Sequence, residues 1–213
     1  MKIIDVLTHE KAVAVVRASG YKEERAEAAA AERARACIEG GINLIEITFS
    51  FEGAKKVIKS LSGRTGVYVG AGTVLTITQA GEALDAGAEF LVCPHTDPEI
   101  IGFAKKNGLA IASGALTSNE IVNAWNAGAD LVKIFPAREL GGPRYIRAMK
   151  EPLPFIKVMA TGGVNLDNLH EYLESGAAVV GLSSCLFGPA GDAAPEEITR
   201  RAKSLKEALI SIS

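Results

Sequence analysis

Two apolar phrases in this chain each carry one charged residue where a charge is costly. Leu44-Ile45-Glu46-Ile47-Thr48 holds a carboxylate, and Leu131-Val132-Lys133-Ile134-Phe135 holds an amine. Side chains along a strand alternate between its two faces. With Ile45 and Ile47 on one face, Glu46 shares the other with Leu44 and Thr48; by the same parity Lys133 shares a face with Leu131 and Phe135. A lysine held among apolar groups has its pKa lowered by desolvation, and the neutral amine so freed can attack a carbonyl and form a Schiff base. In water, with a pKa of about 10.4, roughly a few amines in ten thousand are neutral at pH 7. The protonated iminium then stabilises a neighbouring carbanion, which is what aldol cleavage requires, and a carboxylate in reach can move the protons. Two other readings fit the same pair: a buried structural ion pair, or a phosphosugar isomerase or epimerase with Glu46 as base and Lys133 only as a charge.

A second set of residues suits an anion. Thr161-Gly162-Gly163-Val164 and Gly181-Leu182-Ser183-Ser184 each place glycine and hydroxyl residues directly after an apolar run. Backbone N–H groups exposed in such loops can hold a phosphate. Ordinary turn chemistry uses the same residues; the pair of loops together favours phosphate. A non-catalytic barrel that binds phosphometabolites would also use them, although the Glu46 and Lys133 pair argues against it.

The elements that must position these groups are marked by glycine. The 22 glycines in 213 residues exceed the usual share of about 7%. Many fall in one phrase, a polar helix-like end, then glycine, then a short apolar run: Gly41, Gly66, Gly87, Gly108, Gly128 and Gly176. Those at 66, 87, 108 and 128 are 21, 21 and 20 residues apart, room for one strand, one helix and two short loops. Glycine ends a helix easily because it takes φ > 0 without a Cβ clash. Eight strands follow, at 13–17, 44–48, 67–72, 89–94, 109–113, 130–135, 156–161 and 178–182. Helices are expected at 22–39, 52–61, 77–86, 98–107, 119–126, 143–150, 166–174 and 195–210. Thr76 with Gln79, Asp97-Pro98 and Ser118 supply start signals. Strict alternation predicts an α/β fold with a parallel sheet, and eight units predict a (β/α)8 TIM barrel over residues 1–213 as one domain. An open doubly wound sheet is the alternative, but Gly70-Ala71-Gly72-Thr73 lacks the third glycine of its usual first turn. In a barrel the strand C-termini form the active face. That face gathers Arg17, Glu46, Thr73, Pro94, Lys133, Phe135, Thr161 and Ser184, with Glu46 and Lys133 on strands two and six, opposite each other.

Composition sets outer bounds. Lys and Arg number 23 against 25 Asp and Glu, a net charge of −2 with no block of like charge, so nucleic acid is not an expected partner. The longest apolar run near the start, 12–16, is far short of a signal core or of the roughly 18 residues of a membrane span. A cytoplasmic protein with no membrane partner is expected. Cys37, Cys93 and Cys185 lie far apart, which suggests neither a disulfide framework nor a zinc site.

Several of these phrases also resemble the 2-keto-3-deoxy-6-phosphogluconate aldolases and the bifunctional 4-hydroxy-2-oxoglutarate aldolases grouped with them. The likeness runs over nearly the whole chain and rests on Ile45-Glu46-Ile47-Thr48, Gly70-Ala71-Gly72-Thr73-Val74, Pro94, Leu131-Val132-Lys133-Ile134-Phe135-Pro136 and Thr161-Gly162-Gly163-Val164. It implies Lys133 as the Schiff-base lysine and Glu46 as the general acid/base, in agreement with strand parity. It further implies that Thr73 and Pro94 line the pyruvate end, that Phe135 packs beside the lysine, and that Gly162, Gly163 and Ser184 hold the phosphate. The reaction implied is cleavage of a phosphorylated keto acid to pyruvate and D-glyceraldehyde 3-phosphate, with no metal and no organic cofactor, in a homotrimer. Two departures stand out. Many relatives carry arginine where this chain has Ser50, so Arg17 becomes the candidate for the substrate carboxylate, as paired guanidinium hydrogen bonds suit it. Many also carry glycine where this chain has Ser183, which trims the phosphate pocket.

Other conspicuous residues have plainer readings. His95 is expected in a solvated loop, and Cys93 packed against a helix. The run 23–35 reads as a solvated helix with i, i+4 charge pairs, and Trp125 as a packing or subunit-contact residue.

Overall fold

The computed structural model describes residues 2–18 and 23–211 of the 213. Eight strands form a closed barrel in sequence order: β1 (Ala12–Val16), β2 (Leu44–Thr48), β3 (Tyr68–Gly72), β4 (Phe90–Val92), β5 (Ala110–Ala115), β6 (Leu131–Ile134), β7 (Val158–Thr161) and β8 (Ala177–Leu182). All neighbours are parallel, and β8 closes on β1 through Ala12 opposite Val180 and Ala14 opposite Leu182. The expected barrel is the observed one, and the open sheet is set aside.

The helices are α1 (Ile3–Glu10), α2 (Glu23–Glu39), α3 (Ala54–Leu61), α4 (Ile77–Asp85), α5 (Pro98–Lys106), α6 (Ser118–Asn126), α7 (Pro143–Lys150), α8 (Leu169–Glu174), α9 (Ser184–Phe187) and α10 (Pro195–Ser211). Lys22, the first residue of the first expected helical stretch, lies outside the described residues. The six glycines read as helix stops have φ between 72° and 101°. Five lie two residues past a helix end, in the left-handed geometry expected there, whereas α3 ends at Leu61 with Ser62 as its cap and Gly66 falls in a turn beyond it.

Burial divides along the strand parity. Ile45, Ile47, Val132 and Ile134 belong to the outer apolar layer under the helices, while Leu44, Phe90, Val92 and Leu131 fill the barrel. That interior cluster also takes Val6 and Leu7. They come from α1, which stands one residue before β1 and so packs at the end of the barrel away from the strand C-termini.

Two short helices have no counterpart in the expected pattern. Helix α1 is one of them; α9 is a single turn squeezed between β8 and α10. Helix α6 also starts differently. Thr117, not Ser118, caps it: its hydroxyl accepts from Glu120 N–H at 3.4 Å, and the Glu120 carboxylate takes Thr117 N–H at 2.8 Å. The box needs Glu at the third helical position, and counting back three from Glu120 lands on Thr117. Helix α8 begins at Leu169 rather than 166, because Asn165 takes the N–H groups of Asp167 and Asn168 on its own side chain, a local turn that competes with helix. The Thr76 and Asp97 caps form as expected.

Candidate active site

Glu46 and Lys133 are the charged pair of the barrel mouth. Glu46 is 0% exposed and Lys133 3%. On the interior face Leu44 flanks Glu46 and Leu131 flanks Lys133, all of them buried. No ion pair within 4.0 Å joins them among the described residues, and both carboxylate oxygens of Glu46 lack a hydrogen-bond partner. Burial pushes the Glu46 carboxyl above its usual range, against the opposing fields of Lys133 and Arg17. Burial likewise pulls the Lys133 ammonium below the usual lysine range; Glu46 opposes that shift and Arg17 adds to it. Two such groups, shifted towards each other, are what proton exchange near neutrality needs.

Glu46 can lean into the mouth because of Gly72. The two belong to adjacent strands, where Glu46 pairs with Gly70 and Thr48 with Gly72. A Cβ on Gly72 would overlap the carboxylate, lying 2.6 Å from Cγ and Cδ of Glu46. Gly181 likewise leaves room for the Thr161 side chain. These two glycines make space for functional side chains. Gly72→Ala should therefore push Glu46 aside and lower kcat by about 10²-fold, the scale of a 1 Å misplacement. A pyruvate-release assay paired with a thermal melt checks this, with the fold retained.

The remaining expected residues fall at the same mouth. Phe135 follows β6, and its ring centroid lies 5.3 Å from Lys133 Nζ and 5.9 Å from the Arg17 guanidinium carbon. Thr73 follows β3 with φ of 53°, a conformation rare for a β-branched residue and common at functional sites. Pro94 lies two residues beyond β4, with its carbonyl packed on Gly114 so closely that no Cβ would fit there. Thr161 is 2% exposed, and its hydroxyl oxygen has no partner.

Next to them is a cleft of about 240 Å³ lined by Arg17, Phe135, Thr161, Gly162, Gly163, Ser183 and Ser184. Gly162 and Gly163 have φ of 98° and 81°. The structure thus brings Arg17, Phe135, Thr161, Gly162, Gly163 and Ser184 into one cavity. Ser50 shares a 2.7 Å hydrogen bond with Thr48.

The cleft also uses one residue that sequence reading missed. Arg33 of α2 is 6% exposed and lines the cleft. Its guanidinium donates to the carbonyls of Arg17 and Gly191 and lies over the Phe187 ring. It sits in a run of Ala, Glu and Arg that reads as a solvated face; its sole distinction there is alignment with the buried Ala26, Ala30 and Ala34 side.

The plainer readings of His95, Cys93 and Trp125 as a packing residue stand, whereas in the run 23–35 Arg33 is buried and Glu27 pairs with Lys56 of α3 rather than within its own helix. His95 has a side chain 45% exposed and lies 4.0 Å from Asp97. Cys93 is in the outer layer, its thiol pushed up to about 12 by burial. Trp125 packs on Phe155, with ring centroids 6.1 Å apart.

The family model described as KDPG and KHG aldolase matches residues 3–199. The chain is 39% identical over 141 residues to a 2-dehydro-3-deoxy-phosphogluconate aldolase of Treponema pallidum, covering 66% of this chain and 67% of that one. It is 32% identical over 179 residues to a 2-dehydro-3-deoxy-6-phosphogalactonate aldolase of Escherichia coli, covering 82% and 87%. Among solved structures, a KDPG aldolase from Legionella pneumophila holds pyruvate captured as a covalent carbinolamine. It superposes with a TM-score of 0.81 at 26% identity, over 96% of this chain and 98% of that one. A native KDPGal structure gives 0.82 at 30%, over 94% and 95%. On the barrel, the paired glutamate and lysine and these matches, the chain belongs to the KDPG and KHG aldolase family.

Proposed function

We propose that the chain cleaves 2-dehydro-3-deoxy-6-phosphogluconate to pyruvate and D-glyceraldehyde 3-phosphate through a Schiff base on Lys133. The observation that carries this is the buried Lys133 at the open mouth of the barrel together with the buried Glu46, whose carboxylate oxygens have no hydrogen-bond partner. The neutral Lys133 amine attacks the substrate C2 carbonyl; the carbinolamine hydroxyl takes a proton from the Glu46 carboxyl and leaves as water, giving a protonated iminium and the Glu46 carboxylate. Glu46 takes the C4 hydroxyl proton, the C3–C4 bond breaks, and its electron pair moves into the iminium to give an enamine. The aldehyde product leaves. Glu46 returns the proton to C3, and water adds to the iminium carbon, releasing pyruvate and the neutral amine as the remaining proton returns to Glu46.

Substrate ends follow the charges. Arg17 takes the carboxylate, Thr73 and Pro94 line the pyruvate end, and Phe135 packs against the lysine stem. Thr161, Gly162, Gly163 and Ser184 hold the phosphate in the adjoining cleft, mainly through backbone N–H groups. The same site would accept the galactonate epimer, the substrate named for the Escherichia coli relative, or 4-hydroxy-2-oxoglutarate, which is cleaved to pyruvate and glyoxylate. We read the working form as a cytoplasmic homotrimer. Leu75, Leu116 and Leu166 follow β3, β5 and β7 and are 48%, 38% and 49% exposed, apolar surface that subunit contacts would cover.

A coupled pyruvate-release assay across the three keto acids tests the reading. The phosphorylated gluconate acid should give the highest kcat/KM. Turnover of the galactonate epimer alone would transfer the assignment to that substrate, and release from none would defeat the reading.

A further inference from the structure

We propose that Ser183 is a positioning residue that aims Arg17 at the substrate carboxylate. The inference rests on the aldolase reading and on Arg17 as the carboxylate contact.

Ser183 stands just before α9, where a serine ordinarily turns its hydroxyl onto the first amides of its own helix. Here no such hydrogen bond forms. The hydroxyl crosses the closing seam of the barrel instead and donates to the Val15 carbonyl at 3.0 Å. The seam register, with Ala14 opposite Leu182, places Ser183 beside Val15. With its proton committed there, the oxygen lone pairs are free to accept, and Arg17 Nη1 lies 3.5 Å away. A hydroxyl can serve as donor and acceptor at once; alanine or glycine at 183 could do neither.

Arg17 is then held from three sides. Its guanidinium meets Ser183 and lies over the Phe135 ring, and its carbonyl accepts from Arg33. Arginine carries about 2 kcal/mol of rotamer entropy, so an arginine already ordered before substrate arrives binds a carboxylate with less lost on binding. The same orientation keeps the Arg17 charge in range of both Glu46 and Lys133.

The test uses the full chain with Ser183→Ala, Ser183→Gly, Ser183→Thr, Arg17→Gln and the Arg17→Gln/Ser183→Ala pair. Each is titrated with pyruvate, read as borohydride-trapped adduct, and with inorganic phosphate, read as inhibition of cleavage. Ser183→Ala should raise the half-saturating pyruvate concentration about fivefold, the scale of one hydrogen bond, with the limiting trapping rate and phosphate inhibition little changed. Ser183→Gly should match it, and Ser183→Thr, which keeps the hydroxyl, should recover most of the loss. In the Arg17→Gln background, Ser183→Ala should add less than about twofold, since the two act through one contact.

The inference is overturned if Ser183→Ala and Ser183→Gly bind pyruvate normally, or if their effects multiply with that of Arg17→Gln. Weakened phosphate inhibition to the same degree would also overturn it, making Ser183 a direct phosphate contact. So would loss of pyruvate binding that only follows a fall in melting temperature. Wild-type protein that forms no adduct defeats the aldolase reading itself; normal wild-type trapping with an unaffected Ser183→Ala defeats this inference alone.

Discussion

Lys133→Met should lower kcat/KM for the phosphorylated keto acid by at least about 10⁴-fold, in the range seen when an enzyme loses its nucleophile. Among the described residues Lys133 is the one buried lysine, and the cation beside it, Arg17, is a guanidinium rather than an amine. The barrel should remain folded. Methionine fills a similar volume and removes an ammonium whose burial is costly, so the melting temperature should stay near that of the wild type. Lys133→Ala should lose activity equally but melt lower, because it leaves a cavity. Residual turnover near the wild-type level in either variant, measured by pyruvate release, would remove Lys133 from the chemistry.

Glu46→Gln separates proton transfer from adduct formation. Turnover should fall by about 10²- to 10⁴-fold, the usual worth of a positioned acid/base. Adduct formation with pyruvate should survive, and its pH dependence should move in a defined direction. The Glu46 charge raises the Lys133 pKa against the lowering caused by burial. Removing that charge lowers the lysine pKa further, so neutral amine persists to lower pH. The acidic limb of borohydride trapping in Glu46→Gln should therefore lie at lower pH than in the wild type, wherever Glu46 is otherwise ionised. A limb displaced to higher pH would mean that the two groups do not share a field.

Much of this site is legible in the chain because strand parity is a strict rule. Two apolar phrases with one charge each suffice to place Glu46 and Lys133 on the interior face, since a one-residue slip would bury the charges under helices instead. The glycine beat is legible for a similar reason, as each stop demands a positive φ. Less can be read where partners are distant in sequence. Gly72 makes room for Glu46 across a strand pair, and nothing local distinguishes it from a glycine that admits a ligand. Arg33 is hidden in a helix whose composition describes its exposed face. Ser183 resembles an N-cap, and its hydroxyl turns elsewhere only because the barrel closes β8 onto β1. Helix α1 escapes notice because it precedes the first strand, outside the repeating unit, and its Val6 and Leu7 find their partners only once the barrel is assembled.

The most direct measurement of the central claim is borohydride reduction in the presence of pyruvate, followed by mass spectrometry of the digested protein. The account predicts one N-carboxyethyl group per chain, on the peptide that carries Lys133, and none when pyruvate is omitted or in Lys133→Met. An unmodified Lys133 in protein that still releases pyruvate, or a label on any other lysine, would contradict it.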